Sequence, residues 1–391
     1  MRIGVMLRAI AEDQGTGIYT RNLVERLLAI DHEDDFFLIH RDHRYGPGFE
    51  DSPHVHERCV SAPGKFLWDQ SAVTRIASRE HVDLLFSPKF TAPLLAPCPT
   101  VISLHGSEWF IHPERYKRLD VAYVRLLTPL YCARASAILS NSELTTRDFV
   151  HILKVPAAKI VTIPFAAHPM FRPVTDEIEL ERVRRRYGLP PRFLLFVGKI
   201  YPGKNLGGLI EAFARVRQSA AGPALKLVVV GDTRWAYESD LARVAALGIA
   251  DHVLFTGWVP QGDLPAIYSL AELFVFPSFY EGFGIPAVEA MATGCPSAVA
   301  ATGALPEVTG GATELFDPTD PADMADKMAG LIASPDRRAE LRRRGLARAQ
   351  DFSWEKAAAA TLDVFRRVVR GENPAPMPAP SPSARGCNRA A

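Results

Sequence analysis

The chain has 391 residues, of which 48% are hydrophobic and 23% charged. That is the balance of a soluble folded protein, and it is too long for one ordinary core, since cores stop growing near roughly 250–300 residues. Lys and Arg number 45 against 44 Asp and Glu, which leaves no global field to draw the chain to nucleic acid or to an anionic membrane. The five scattered cysteines, Cys59, Cys98, Cys132, Cys295 and Cys387, contain no Cys-x-x-Cys pair. Neither a disulfide framework nor a zinc site is indicated, and a reducing, cytoplasmic setting is expected.

The opening Met1-Arg-Ile-Gly-Val-Met-Leu-Arg8 has an apolar run too short for a secretory leader, so residues 3–7 read as a first buried strand. No window reaches the ~18 apolar residues of a membrane span, which leaves peripheral contact, at the inner face of a membrane, as the remaining option. Further strands are expected over 36–40, 82–87, 100–104, 137–140 and 160–163, with helices over 17–30, 114–134 and 143–153. This alternation is the order of a parallel sheet with crossover helices. Then His168-Pro-Met-Phe-Arg-Pro173 and Gly188-Leu-Pro-Pro191 flank an acidic and basic helix over 176–187, the punctuation of a domain junction. A second series of strands follows at 193–197, 225–230, 252–255, 273–276 and 296–299, an Arg-rich solvated helix at 336–348 and a last helix at 354–370. We therefore expect domains over 1–170 and 171–352, a terminal helix over 353–370, and a Pro-, Ala- and Ser-rich disordered tail over 371–391.

The most informative stretch is Phe276-Pro-Ser-Phe-Tyr-Glu-Gly-Phe-Gly-Ile-Pro-Ala-Val-Glu289. A strand ends, glycines turn the chain, and Pro286 sits where a helix begins, because its missing N–H costs nothing there. The loop so delivers free N–H groups at a helix N-terminus, a site suited to a diphosphate. Glu281 and Glu289 reach the same end of that helix; carboxylates beside a diphosphate make sense if they accept hydroxyls of sugar and ribose. Upstream, Phe196-Val-Gly-Lys-Ile-Tyr-Pro-Gly-Lys-Asn-Leu206 carries Lys199 and Lys204 in a strand-to-helix loop, where both can meet negative charge on a leaving diphosphate. Taken singly, each feature has an ordinary structural reading, such as a helix-dipole glutamate or a solvated lysine.

Together, Glu281-x7-Glu289 resembles the signature of retaining glycosyltransferases of the two-Rossmann (GT-B) architecture in family four, the group 1 glycosyl transferases with many mannosyltransferases. The resemblance implies an α/β fold with two Rossmann-like domains facing an interdomain cleft, and a final helix, opened by Phe352-Ser-Trp354, that crosses back onto the first domain. It implies catalytic roles for Glu281, Lys204 and His105 of Ser103-Leu-His-Gly106. Donor contacts are implied for Gly15 and Gly17, for Lys199, Lys204, Trp258, Val259, Glu281, Phe283, Gly284 and Ile285, and for Glu289 toward the ribose. Lys199 stands where the family commonly has arginine, and lysine lacks the bidentate fork. The expected reaction moves a hexose, with mannose preferred, from a nucleotide diphosphate sugar to a hydroxyl of a glycan, lipid-linked or small-molecule acceptor, as in polysaccharide biosynthesis.

No Asp-x-Asp occurs anywhere, so neither metal nor other cofactor is expected, and lysines with helix N-termini take the metal's place. His40-x-x-His43 and His54-x-His56 lack further ligands at a persuasive spacing. Basic Glu114-Arg-Tyr-Lys-Arg118 and the residues to Arg125 suggest an acceptor or membrane contact, against a plain solvated face. Asp263 is expected to cap the helix after the Thr256-Gly-Trp-Val259 turn. The alternatives are a nucleotide-sugar isomerase of the same fold and a non-catalytic donor-binding subunit.

Overall fold

The computed structural model describes residues 1–8, 10, 15–41, 52–218, 224–232 and 237–374. The tail expected from residue 371 falls outside these residues from 375 onward, as do His43 and Cys387.

In the first half, β1 (Arg2–Met6), α1 (Thr16–Ile30), β2 (Asp35–His40) and β3 (Val55–Cys59) precede α2 (Gly64–Leu67), which runs through a π-turn into α3 (Val73–Arg79). Next come β4 (Leu84–Ser87), β5 (Thr100–Leu104), α4 (Glu108–Ile111), α5 (Arg118–Arg134), β6 (Ala137–Ser140), α6 (Glu143–Ile152) and β7 (Ile160–Thr162). The second half holds α7 (Glu177–Tyr187), β8 (Phe193–Val197), α8 (Leu206–Gln218), β9 (Lys226–Val230), α9 (Tyr237–Ala246), β10 (Val253–Gly257), α10 (Leu264–Leu270) and β11 (Leu273–Phe276). It ends with α11 (Ile285–Ala292), β12 (Ser297–Ala300), α12 (Leu305–Thr309), β13 (Glu314–Phe316), α13 (Pro321–Ala333), α14 (Pro335–Ala349) and α15 (Trp354–Val369).

Among the described residues the strands form two parallel sheets, ordered β3-β2-β1-β4-β5-β6-β7 and β10-β9-β8-β11-β12-β13. The central strands are buried on both faces, with Ile3 and Val5 on β1 and Phe193 to Phe196 on β8 fully enclosed; this is why they read as continuous apolar runs rather than alternating ones. In register, Ile3 lies opposite both Phe36 and Leu84, so β1 is the hinge of its sheet's order.

The differences from the sequence expectation have local causes. β3 reads Val-His-Glu-Arg-Cys and is half-exposed throughout, an edge strand without an apolar run. β13 has three residues, too few for periodicity to register. The helix expected over 114–134 begins only at Arg118, because Tyr116 is extended and Pro113–Arg115 forms a separate 3₁₀ turn. What pulls Tyr116 out is packing: its ring stacks on Trp109 with centroids 3.9 Å apart. Asp263 occupies the N-cap position of α10 but its side chain does not cap; it takes bonds from Arg182 and Tyr187, each 2.6 Å, and pairs with Arg186 at 3.0 Å, tying α7 to α10. The Arg-rich α14 is solvated on one face only, since Leu341 and Gly345 are buried.

α15 returns to the first sheet. It packs along α1, sets Phe365 against Phe86 at 5.1 Å, and closes ion pairs Arg26–Glu355 (3.2 Å) and Arg366–Asp31 (3.3 Å). Where it starts, Trp354 joins Tyr19 and Phe165 of the first half and Phe283 and Phe352 of the second in one aromatic cluster. Among the described residues no helix is long and apolar enough to cross a membrane.

Candidate active site in the interdomain cleft

Each sheet reverses its order beside its first strand, between β1 and β4 and between β8 and β11. Outside the carboxyl ends of strands at such a switch point, α/β sheets leave a crevice that binds ligands. Here the two crevices face each other and enclose a cavity of about 430 Å³. Gly15, Thr16, His105, Glu108 and Asn141 line it from the first domain, and Lys199, Lys204, Trp258, Glu281, Gly284 and Glu289 from the second.

The loops after β8 and β11 meet at an ion pair between the Lys204 ammonium and a Glu281 carboxylate oxygen, 77 residues apart in sequence. Burial alone would lower the lysine's pKa, but the Glu281 charge overrides it and holds Lys204 above its usual range. The pair is positioned by backbone ties: Phe279 donates its N–H to the Gly203 carbonyl at 3.0 Å, and Asn205 Nδ2 donates to the Pro277 and Pro318 carbonyls. The arrangement is a half-buried cation tied to a carboxylate, suited to a phosphate oxygen and a hydroxyl side by side.

Behind the pair, α11 starts with Gly284 as its N-cap and Pro286 in its first turn. Gly284 has φ 92°, a conformation that favours glycine. Among the described residues, the N–H groups of Phe283, Gly284 and Ile285 donate to no protein oxygen, so they remain for an anion at the helix N-terminus. Gly282 is held for another reason: a Cβ there would fall 1.9 Å from the His105 carbonyl oxygen of the other domain. This close approach is reinforced by Ser142, whose hydroxyl donates to the Gly282 carbonyl at 2.8 Å, and by Thr145 at 3.3 Å. Glu307 of α12 accepts the N–H groups of Glu143 and Leu144 at the start of α6, and Tyr280 donates to Asp148 at 2.8 Å.

Glu289, one turn into α11, is 4% exposed and accepts a hydrogen bond from the Tyr268 hydroxyl at 3.2 Å. Burial raises its pKa to about 7, against which the Tyr268 bond is a smaller, opposing effect. A carboxyl in this state gains from further hydroxyl donors, which would favour its ionised form.

The remaining sequence-derived residues divide. Trp258 is 52% exposed at the mouth of the cavity, with Val259 buried beside it. Lys199 and Gly15 line the cavity, the latter preceding α1. Gly17 does not: it is buried inside the first turn of α1, while its neighbours Thr16 and Ile18 face the cavity. His105 lines it too, with Nε2 2.8 Å from the Pro88 carbonyl and its ring edge-on to Tyr19. Among the lining residues that carried no role in the sequence reading are Glu108, Asn141, Tyr201 and Tyr280. Asn141 donates to the His105 carbonyl at 2.9 Å. The two tyrosines stood inside motifs already singled out, whereas Asn141 had only its place just after the strand expected over 137–140, and Glu108 its place three residues after His105.

Arg115, read as a surface cation, lies 4.2 Å over the Phe279 ring of the second domain. His54 and His56 flank Asp35 at 3.5 and 3.6 Å, and His40 lies 3.3 Å from Glu57.

With known proteins, residues 14–166 match the family described as Glycosyltransferase Family 4, and residues 178–348 match Glycosyl transferases group 1. The O-antigen chain mannosyltransferase B of Escherichia coli is 28% identical over 374 residues, 90% of this chain and 96% of that protein. The serotype-specific mannosyltransferase WbdA of the same organism is 28% identical over 279 residues, 70% of this chain but about a third (34%) of that protein. Among solved structures, HepE of Anabaena in complex with UDP and glucose superposes with a TM-score of 0.76 at 19% identity, covering 94% of this chain and 99% of that one.

Proposed function

Since the chain belongs to the family-four glycosyltransferases of GT-B architecture, both of its halves matching that family, we propose that it transfers a hexose, mannose in particular, from a nucleotide diphosphate sugar to an acceptor hydroxyl with retention of anomeric configuration. The observation that carries this reading is the Lys204–Glu281 pair set before the free N–H groups of α11 in the interdomain cavity. In this reading the diphosphate lies on the N-terminus of α11, shared by Lys204 and Lys199, and needs no metal to offset its charge. Glu281 and His105 hold the sugar, Glu289 the ribose, and the turn at Trp258 and Val259 the base.

The chemistry follows from the charges. The bond between the anomeric carbon and the phosphate oxygen breaks, its electron pair leaving with the diphosphate toward Lys204. The acceptor oxygen bonds to the same face of that carbon, and its proton passes to the departing phosphate oxygen. The preference for mannose draws on the two mannosyltransferase relatives.

A glycan, lipid-linked or small-molecule acceptor would enter over the first domain. Peripheral contact with the inner face of a membrane is supported by α5, where Leu119 and Leu126 are 86% and 71% exposed beside Arg118 and Arg125. Because Arg115 is engaged with Phe279, the variants that test this contact are Arg118→Glu and Leu119→Ser, assayed by co-sedimentation with anionic vesicles; undiminished sedimentation refutes it. The transferase reading itself is tested by product analysis with a panel of GDP- and UDP-hexoses. Transfer with the anomeric configuration kept supports it; epimerisation of the donor, binding without turnover, or an inverted product refutes it.

A further inference from the structure

Glu108 enters the cavity from the first domain and is used by none of the steps above. It opens α4, is half-buried, and shares the cavity wall with Lys204 and Glu281. Burial and the Glu281 charge raise its pKa, while Lys204 and the nearby Tyr116 hydroxyl oppose them. The side chain is also held in place. Gly106 makes room for it, since a Cβ on that residue would lie 2.5 Å from Glu108 Oε2. Tyr116, stacked on Trp109, has its ring 6.4 Å from that of Tyr201 of the second domain. The break in the expected 114–134 helix is what puts Tyr116 there.

An ionised carboxylate only accepts hydrogen bonds, so it selects for hydroxyl donors and against phosphate or carboxylate groups. Lys204, the cation whose charge acts on it, is already paired with Glu281. In the transferase reading, Glu281 and His105 take the donor's sugar, and the second domain its ribose and diphosphate. The hydroxyls left for a first-domain carboxylate are the acceptor's, and adjacent hydroxyls on a ring can engage its two oxygens together.

We propose that Glu108 is an acceptor-binding residue that receives two adjacent hydroxyls of a sugar-ring acceptor and so selects which ring hydroxyl meets the donor. This rests on the transferase reading. The test compares wild type with Glu108→Ala, Glu108→Gln, Gly106→Ala and the Gly106→Ala/Glu108→Ala double variant. Methyl hexopyranosides and their monodeoxy analogues serve as acceptors, with 1-octanol as a simple alcohol. Nucleoside diphosphate affinity is measured by calorimetry on the same proteins.

Glu108→Ala should raise the acceptor KM about 10- to 100-fold, the effect of losing hydrogen bonds to a charged group, with kcat altered less than threefold and diphosphate Kd within twofold. Gly106→Ala should raise KM similarly, by displacing the carboxylate, and add nothing in the Glu108→Ala background. At least one deoxy analogue should lose the difference between wild type and Glu108→Ala. Unchanged KM in Glu108→Ala overturns the proposal. So does a diphosphate Kd that rises with the acceptor KM, which would put Glu108 on the donor, or transfer to octanol in preference to every ring. Wild type that binds no nucleoside diphosphate refutes the transferase reading and this proposal with it; wild type that binds and transfers while Glu108→Ala matches it refutes this proposal alone.

Discussion

Replacing Glu289 with glutamine should change how stability depends on pH, by an amount set by the burial of one carboxyl. Burial raises the Glu289 pKa from the ordinary 4.5 to about 7. Between those values the folded chain holds a proton that the unfolded chain has released, so stability falls as pH rises through that window. Below 4.5 both states are protonated and the penalty is absent; above 7 it is complete. A shift of this size corresponds to about 3 kcal/mol at ~1.4 kcal/mol per pH unit. Glutamine keeps the shape and does not titrate, so any constant effect of the amide cancels when the comparison is made across pH.

The assay is thermal unfolding of both proteins from pH 4.5 to pH 8.5. Relative to wild type, Glu289→Gln should gain about 6–12 °C across this range, at roughly 2–4 °C per kcal/mol for a domain of this size. A difference in Tm that stays flat over the range would refute the reasoning. Binding gives a second reading. If ribose hydroxyls donate to Glu289 they favour its ionised form, so wild-type donor affinity should rise with pH through about 7 while that of Glu289→Gln stays level.

Lys204→Ala and Glu281→Ala should each lower kcat about 10²- to 10³-fold in a donor–acceptor assay, the range for removing one fixed electrostatic group from a site. Full turnover in either would contradict the assignment. Gly282→Ala puts a Cβ 1.9 Å from the His105 carbonyl and so forces the two domains apart. It should cost about 100-fold in kcat, as expected for displacement of ~1 Å, with a larger radius of gyration by X-ray scattering and little change in Tm. Phe365→Ala empties a fully buried position against Phe86 and should cost about 3–5 kcal/mol, read by denaturant unfolding.

The second-domain wall of the cavity was legible because it is local. A strand, a glycine turn, a proline in the first helical turn and Glu289 one turn further all fall within Phe276 to Glu289. The dipole and free N–H groups of α11 follow from that order alone. Lys204 was legible in the same way, from a lysine closing a strand-to-helix loop, though its contact with Glu281 spans 77 residues. The place of Gly17 was not legible, because a glycine at a helix start can face a cavity or sit inside the first turn, and it is the fold that buries it between Thr16 and Ile18.

The long apolar strands, the alternation of strand and helix and the residues of the two strand-to-helix loops are properties of short segments, and sequence by itself determined them. The tertiary structure decided what depends on contacts between distant segments. Tyr116 stands outside the helix, stacked on Trp109 and 6.4 Å from the Tyr201 ring of the second domain, and Glu108 lines the cavity from α4. Asp263 gives up capping because Arg182, Arg186 and Tyr187 reach it from another helix. Gly282 is required by a carbonyl 177 residues earlier in the chain, at His105. No window of neighbouring residues encodes these choices, because the energies that make them come from groups that meet only once the chain has folded.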